Sequence, residues 1–211
     1  MKMADVVIML ALAAGTFFGG MKFQEYKDAG CALSEKTCAL RTGMRKLWAD
    51  HVVWTRSYIK SAILDNPDLK VVTERLLQNQ DDIGNAIIAY YGQDARKQLT
   101  ELLKEHILGA ADLVEAAKID DKSKLNQASK RVHDNAKDIA AFLSSANPNW
   151  SEKELVTMLN EHLKLLTQET MACIEQQWSD DVKLFNAVFD QAMEMADALT
   201  NGIVKQFPDK F

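Results

Sequence analysis

From residue 41 onward, apolar residues recur at three- and four-residue intervals, the spacing of helices that bury one face. Leu47, His51, Trp54 and Tyr58 share one such stripe; Leu99, Leu102, His106, Ala110 and Leu113 share a second; Leu155, Met158, His162, Leu166 and Cys173 share a third, with Glu169 on the same line. Clear punctuation separates the stripes. Asn66-Pro67 supplies an N-cap and a proline for a first turn. Gly92 follows Tyr90-Tyr91 as a helix stop, and Asn147-Pro148 ends another helix. Ser151 with Glu154 forms a capping box. Ser179-Asp180-Asp181 opens the last helix with acid in its first turn, and Pro208 closes it. These marks predict six helices, at about 42–65, 68–91, 93–118, 121–146, 151–178 and 179–206. Linkers of a few residues make neighbours antiparallel.

Within this pattern one six-residue motif occurs three times: Leu47-Trp48-Ala49-Asp50-His51-Val52, Leu102-Leu103-Lys104-Glu105-His106-Ile107 and Met158-Leu159-Asn160-Glu161-His162-Leu163. The three His stand 55 and 56 positions apart, and an acid (Asp82, Asp138, Asp197) follows each one by 31 to 35 positions. One helical hairpin used three times explains both spacings. The fold class is therefore all-α: a six-helix antiparallel bundle of three hairpins over residues 41–211. At about 1.5 Å per residue, the three His and the three Asp fall within a slab of roughly 8 Å, with Gln80 and Asn135 near the same level. His133 lies beside Asp134 on a polar stretch and is expected to be exposed.

The N-terminus differs in kind. Residues 6–21 carry no charge, and a spanning helix needs roughly 20 apolar residues. Residues 1–26 are expected to form a transmembrane anchor, with Lys2 and Lys22 reaching the two interfaces. Gly15-Thr16-Phe17-Phe18-Gly19 is a GxxxG ribbon suited to self-association in lipid. Residues 27–40 read as a linker, in which Cys31 and Cys38 suit a disulfide in an oxidising compartment or two free thiols; the sequence leaves both open. The Lys and Arg that follow the segment favour a cytoplasmic body, whereas a disulfide favours the opposite side. The expected localisation is single-pass membrane, with the side of the bundle open. Cys173, inside an apolar stripe, is expected to be a buried free thiol.

Composition narrows the function classes. The 211 residues carry a net charge of -5, with basic and acidic residues interleaved, so no concentrated basic face for nucleic acid is visible. Hydrophobic residues at 47% suffice for a core, and three Pro with nine Gly are too few for a turn-rich β fold. No Gly-rich phosphate loop, Cys-x-x-Cys or Gly-x-Ser-x-Gly occurs, so nucleotide-dependent and acyl-transfer chemistry have no support. The four Trp suit core and interface positions.

The polar layer supports two readings. Imidazole and carboxylate are ligands for iron, zinc or manganese in bundles, which makes His51, His106, His162, Asp82 and Asp138 a candidate metal or small-ligand site. Neither Glu-x-x-His nor His-Glu-x-x-His occurs, and each His is alone on its helix. Alternatively, each buried His hydrogen-bonds to a group on its paired helix, with no cofactor, and the network fixes register among similar hairpins. Asp190, Glu194, Asp197 and Asn201 share one face of the last helix, and a solvated face there would take Asp197 out of the layer.

The stretch Leu47-Trp48-Ala49-Asp50-His51-Val52-Val53-Trp54-Thr55-Arg56 resembles the opening of a group of small, functionally uncharacterised bacterial helical-bundle proteins. Arg75-Leu-Leu-Gln-Asn-Gln-Asp-Asp-Ile-Gly-Asn-Ala86, Ala141-Phe-Leu-Ser-Ser-Ala-Asn-Pro-Asn-Trp150 and Gly202-Ile-Val-Lys-Gln-Phe-Pro-Asp-Lys-Phe211 continue the resemblance, which covers about residues 44–211. It implies a helical bundle with no assigned activity; kinase labels attached to some members find no phosphate loop here. The motifs carrying His51, His106 and His162 match the group's pattern, while position 133 is often aromatic in it. The first 40 residues fall outside the resemblance.

Together these observations lead to the expectation of a membrane-anchored scaffold or interaction protein without evident catalysis, in a cell envelope or virion membrane, with protein partners or self-association through the GxxxG face. A metal- or ligand-binding bundle is the alternative, and an enzyme built on such a centre comes third.

Overall fold

Ser34 opens the first helix: its hydroxyl accepts from the Thr37 N–H at 3.1 Å, satisfying one of the four donors a helix start leaves free. The computed structural model describes residues 34–211. Their helices are α1 (Glu35–Ile63), α2 (Leu69–Ala86), α3 (Ile88–Lys118), α4 (Lys122–Ala146), α5 (Glu152–Ile174) and α6 (Trp178–Gln206), followed by a short 3-10 turn (Pro208–Lys210). Helix α1 thus begins inside the expected linker, and Cys38 lies on it. Cys31 falls outside the described residues, and with it the expected Cys31–Cys38 pairing.

Local chemistry sets the boundaries. Asp121 and Ser151 cap α4 and α5 through their side chains, accepting from Lys124 N and Glu154 N. Gly92 takes φ 82°, a left-handed conformation that breaks α3 near its start, so the expected helix stop appears as a kink. Asp65, Asp120 and Gln176 close α1, α3 and α5 with positive φ in the turns that reverse the chain.

Each helix packs along the next, and α1 packs along α6, which closes the ring. In addition α1, α3 and α5 each touch the other two. The odd-numbered helices therefore form an inner triangle, and α2, α4 and α6 fill the grooves outside it. Small buried residues on the outer helices, Ala136 and Ala140 on α4 and Ala192 and Ala196 on α6, allow that close approach. Leu76, Ile139 and Ile203 are at most 2% exposed, and burying each such side chain contributes about 1.5–3 kcal/mol. At one end Trp150 lies against Gly202, where a Cβ would overlap the indole. Beside it the Tyr91 hydroxyl donates to Gln206 Oε1 at 2.8 Å and accepts from Asn147 Nδ2 at 2.9 Å.

One expectation is corrected. Among the described residues no helix is long and apolar enough to cross a membrane, so the expected transmembrane helix ahead of the six-helix bundle, and with it a single-pass membrane protein, is not supported. The apolar segment and its GxxxG ribbon lie outside the described residues.

Candidate functional site

The helical stripes that carry His51, His106 and His162 face the inner triangle, so all three rings are buried, at 3 to 7% exposure. They line one small cavity of about 10 Å³ together with Trp48, Gln80 and Met195. That space equals roughly one water molecule or a bare ion. Apolar voids of about 40 Å³ each adjoin it on two sides, one sharing Trp48 and Met195 and the other sharing Ile107. The rings of His51 and His162 have centroids 5.9 Å apart.

Each hairpin holds its imidazole in nearly the same way. His106 Nδ1 donates to Asn135 Oδ1 at 2.8 Å, and Asn135 Nδ2 donates to the Leu102 carbonyl at 3.1 Å. His162 Nδ1 donates to Gln191 Oε1 at 2.8 Å, and Gln191 Nε2 donates to the Met158 carbonyl at 3.1 Å. In both cases the carbonyl lies four residues before the His, so the amide's NH2 is committed and its oxygen faces the ring. The proton is then on Nδ1, and Nε2 keeps a lone pair.

In the first hairpin the role is divided between two neighbours. Asn79 Nδ2 donates to the Leu47 carbonyl at 3.1 Å, and a hydrogen bond with Asn79 favours the protonated form of His51. Gln80 brings Nε2 to 3.4 Å from His51 Nδ1, but its two hydrogens already serve the Leu76 carbonyl at 2.8 Å and Asn79 Oδ1 at 3.2 Å. The first hairpin thus places two amides, Asn79 and Gln80, beside His51 where each of the other hairpins uses one.

Burial keeps the three rings neutral. Desolvation, then the neighbouring His162 and His106, lowers His51 to about 3; desolvation lowers His106 to about 4 and also lowers His162. Three buried polar atoms of cavity-lining residues have no hydrogen-bond partner: His162 Nε2, Gln80 Oε1 and Trp48 Nε1.

The two carboxylates expected in this layer are elsewhere. Asp82 is half-buried and pairs with Arg75 at 3.5 Å, and Asp138 is exposed. Asp197 pairs with Arg45 at 2.5 Å, across the seam between α1 and α6. The physical reason is register. Asp82 and Asp138 follow Asn79 and Asn135 by three residues, which moves a side chain about 4.5 Å along the helix and about 60° around it. The inward positions hold neutral amides, which cost far less to bury than carboxylates. Gln191 was not anticipated; the signal for it was a constant separation of 29 residues from each His to Gln80, Asn135 and Gln191. Among the described residues, no group of three or more His, Cys, Asp or Glu side chains is placed to hold a metal ion. His133 is half-buried rather than exposed and donates from Nδ1 to the Ser129 carbonyl at 2.8 Å.

A second polar cluster ties α1 to α5 and α6. Arg56 pairs with Glu169 at 2.5 Å and with Asp181 at 2.7 Å, and Lys60 reaches Asp181 at 2.8 Å. Burial pushes the Glu169 carboxyl up despite Arg56. Burial also works against Asp181, but hydrogen bonds from Lys60 and Arg56 hold it below the usual range. Cys173, fully buried as a free thiol, lies 3.5 Å from Lys60 Nζ. The charges balance within the cluster, which fits a structural clamp.

No family model, no curated protein and no solved structure matches this chain.

Proposed function

We propose that this bundle binds a single metal ion between His51, His106 and His162. The observation that carries the reading is the shared cavity of the three imidazoles, two of them tied through Nδ1 to a side-chain amide so that Nε2 keeps its lone pair. Metal-bound imidazoles are oriented by such outer hydrogen bonds, which fix the tautomer and the ring plane. Two rings sharing an ion at the ~2.0 Å nitrogen–metal distance hold their centroids roughly 5 to 6.5 Å apart. The 5.9 Å between His51 and His162 lies in that range, and loading would have to draw the three rings together, because they form no ready ligand group. Rings already neutral at physiological pH offer little proton competition. One ion held by three hairpins would tighten the inner triangle.

A second reading has its own observation. Trp48 Nε1–H is a donor, and Gln80 Oε1 and His162 Nε2 are acceptors, which complements a single water molecule. On this reading the layer is structural, and the bundle is a scaffold that acts through its surface.

Metal content of the full chain, purified without chelator or affinity His tag and then reconstituted with first-row metals, tests the proposal. The expected result is close to one metal ion per chain, lost when His51, His106 and His162 are all replaced by Gln, with higher thermal stability in the loaded protein. Absence of metal after reconstitution overturns it in favour of the structural layer.

A further inference from the structure

An apolar void of about 40 Å³ runs from the imidazole layer, where it shares Trp48 and Met195, to Trp150 at one end of the bundle. All six helices contribute side chains to it. Among the described residues, its lining side chains include no charge, amide, hydroxyl or imidazole; the only heteroatoms are the two indole nitrogens and the sulfurs of Met44, Met158 and Met195. One water-sized sphere needs about 10–15 Å³ of such space, so the void has room for roughly three heavy atoms.

Water gains little there. A buried water needs two to four polar partners, and thioether sulfurs are weak acceptors. Left empty, the void deprives its lining of dispersion contacts, which a small apolar guest restores. The methionines make the wall adaptable, and Met158 is the one lining side chain that is partly exposed.

One wall group also asks for a partner. Trp48 is 6% exposed, and its Nε1–H has no hydrogen-bond partner among the described residues. The metal-binding reading leaves this donor unused. The Trp150 indole nitrogen is unpartnered too, but it lies against Gly202. An indole N–H donates and never accepts. A guest with its own donor would leave that donor without a strong acceptor, and a charged guest is excluded by the cost of burial.

We propose that this void binds a small uncharged molecule of about three heavy atoms with one acceptor oxygen and no donor, a short ether or carbonyl compound. Its oxygen accepts from Trp48 Nε1–H, and its carbons pack on the leucine and methionine walls. The inference goes beyond the metal-binding reading and uses none of the three imidazoles as a contact, so either can fail alone.

The test is a titration of the nitrogen-15-labelled full chain with dimethyl ether and, separately, with propane. The two have nearly the same size and shape, and only the ether accepts a hydrogen bond. The four indole N–H signals are assigned with single Trp→Phe variants. The expected result is a saturable shift of the Trp48 and Trp150 signals with either guest, while the exposed Trp178 stays unchanged. The Trp48 proton should move downfield with the ether alone. Leu199→Phe and, independently, Leu143→Phe fill the void and should abolish the saturable shifts. Absence of a saturable shift at Trp48 and Trp150 in the wild-type chain, or an equal shift at Trp178, overturns the site. Shifts that persist in both Phe variants overturn its location. Identical Trp48 shifts from ether and propane overturn the acceptor oxygen as the feature recognised.

Discussion

Asn135 accepts a 2.8 Å hydrogen bond from His106, 29 residues earlier in the chain, and its own NH2 is held by the Leu102 carbonyl. One amide thereby fixes the ring's position, its tautomer and the register of α3 against α4. The same pairing joins His162 to Gln191 between α5 and α6. A buried donor left without its partner costs about 1–3 kcal/mol. Asn135→Leu and Gln191→Leu are each expected to lower urea-unfolding stability by about that much. Asp138→Asn, at an exposed position, should change it by less than about 0.5 kcal/mol. Equal effects from Asn135→Leu and Asp138→Asn would show that the amide does not carry the layer.

The buried rings also set an acid limit on the fold. His51 is lowered to about 3 and His106 to about 4, and His162 is lowered too, chiefly by desolvation. An unfolded His titrates near 6.5. Above that pH the rings are neutral in both states, and the fold keeps its full stability. As pH falls below about 6.5, the unfolded chain takes up protons that the folded rings refuse, so stability declines until the folded rings themselves protonate near pH 3 to 4. Glu169, raised by burial, acts in the opposite direction but around the carboxylate range. The urea midpoint should therefore drop between pH 7 and pH 5, and the triple His→Gln variant should show a flatter profile over that interval. An equally steep profile in the variant would assign the acid sensitivity to other groups.

Arg56 bridges two nearly inaccessible carboxylates, Glu169 at 1% and Asp181 at 2% exposure. Removing it leaves negative charge buried without its main partner. Arg56→Ala should cost about 3 kcal/mol or more, at the level found for broken buried pairs. Adding Glu169→Gln to Arg56→Ala should recover part of the loss, because it removes one stranded charge. Chemical denaturation of the four-member cycle gives both numbers. Additive effects would mean that the two groups are not coupled.

Gly202 lies under the Trp150 indole with no room for a Cβ. Gly202→Ala should destabilise by about 1–3 kcal/mol, the usual effect of overpacking, although alanine favours helix more than glycine does. Trp150 fluorescence should shift as the indole is displaced. A stabilised variant with an unchanged spectrum would contradict this packing.

Much of the architecture was legible in the sequence because helix periodicity and punctuation are local. The Asn147-Pro148 stop, the Ser151 cap and the Gly92 break each follow from one or two residues. The inward facing of His51, His106 and His162 followed from their place within apolar stripes. Their partners were less legible. Asp82 and Asp138 matched the layer in height, but height does not fix rotation, and three residues of offset turn a side chain out of the core. Charge drew the reading toward Asp when burial favours neutral Asn and Gln. The Arg56 clamp was invisible for another reason: Glu169 and Asp181 meet Arg56 only through a fold that brings residues more than 100 positions apart together.

Because α1 packs along α6 as well as along α2, the hairpins form a closed circle. Arg41 bonds to Asn201 and Arg45 to Asp197, so the start of α1 lies beside the end of α6. A circle of like units has no obligatory first member. A circular permutant that joins these neighbouring ends by a short linker, and is cut at Pro148, keeps every His–amide partnership within an unbroken hairpin. Chain order and site assembly are separable properties of this molecule, and the imidazole centre belongs to the ring as a whole.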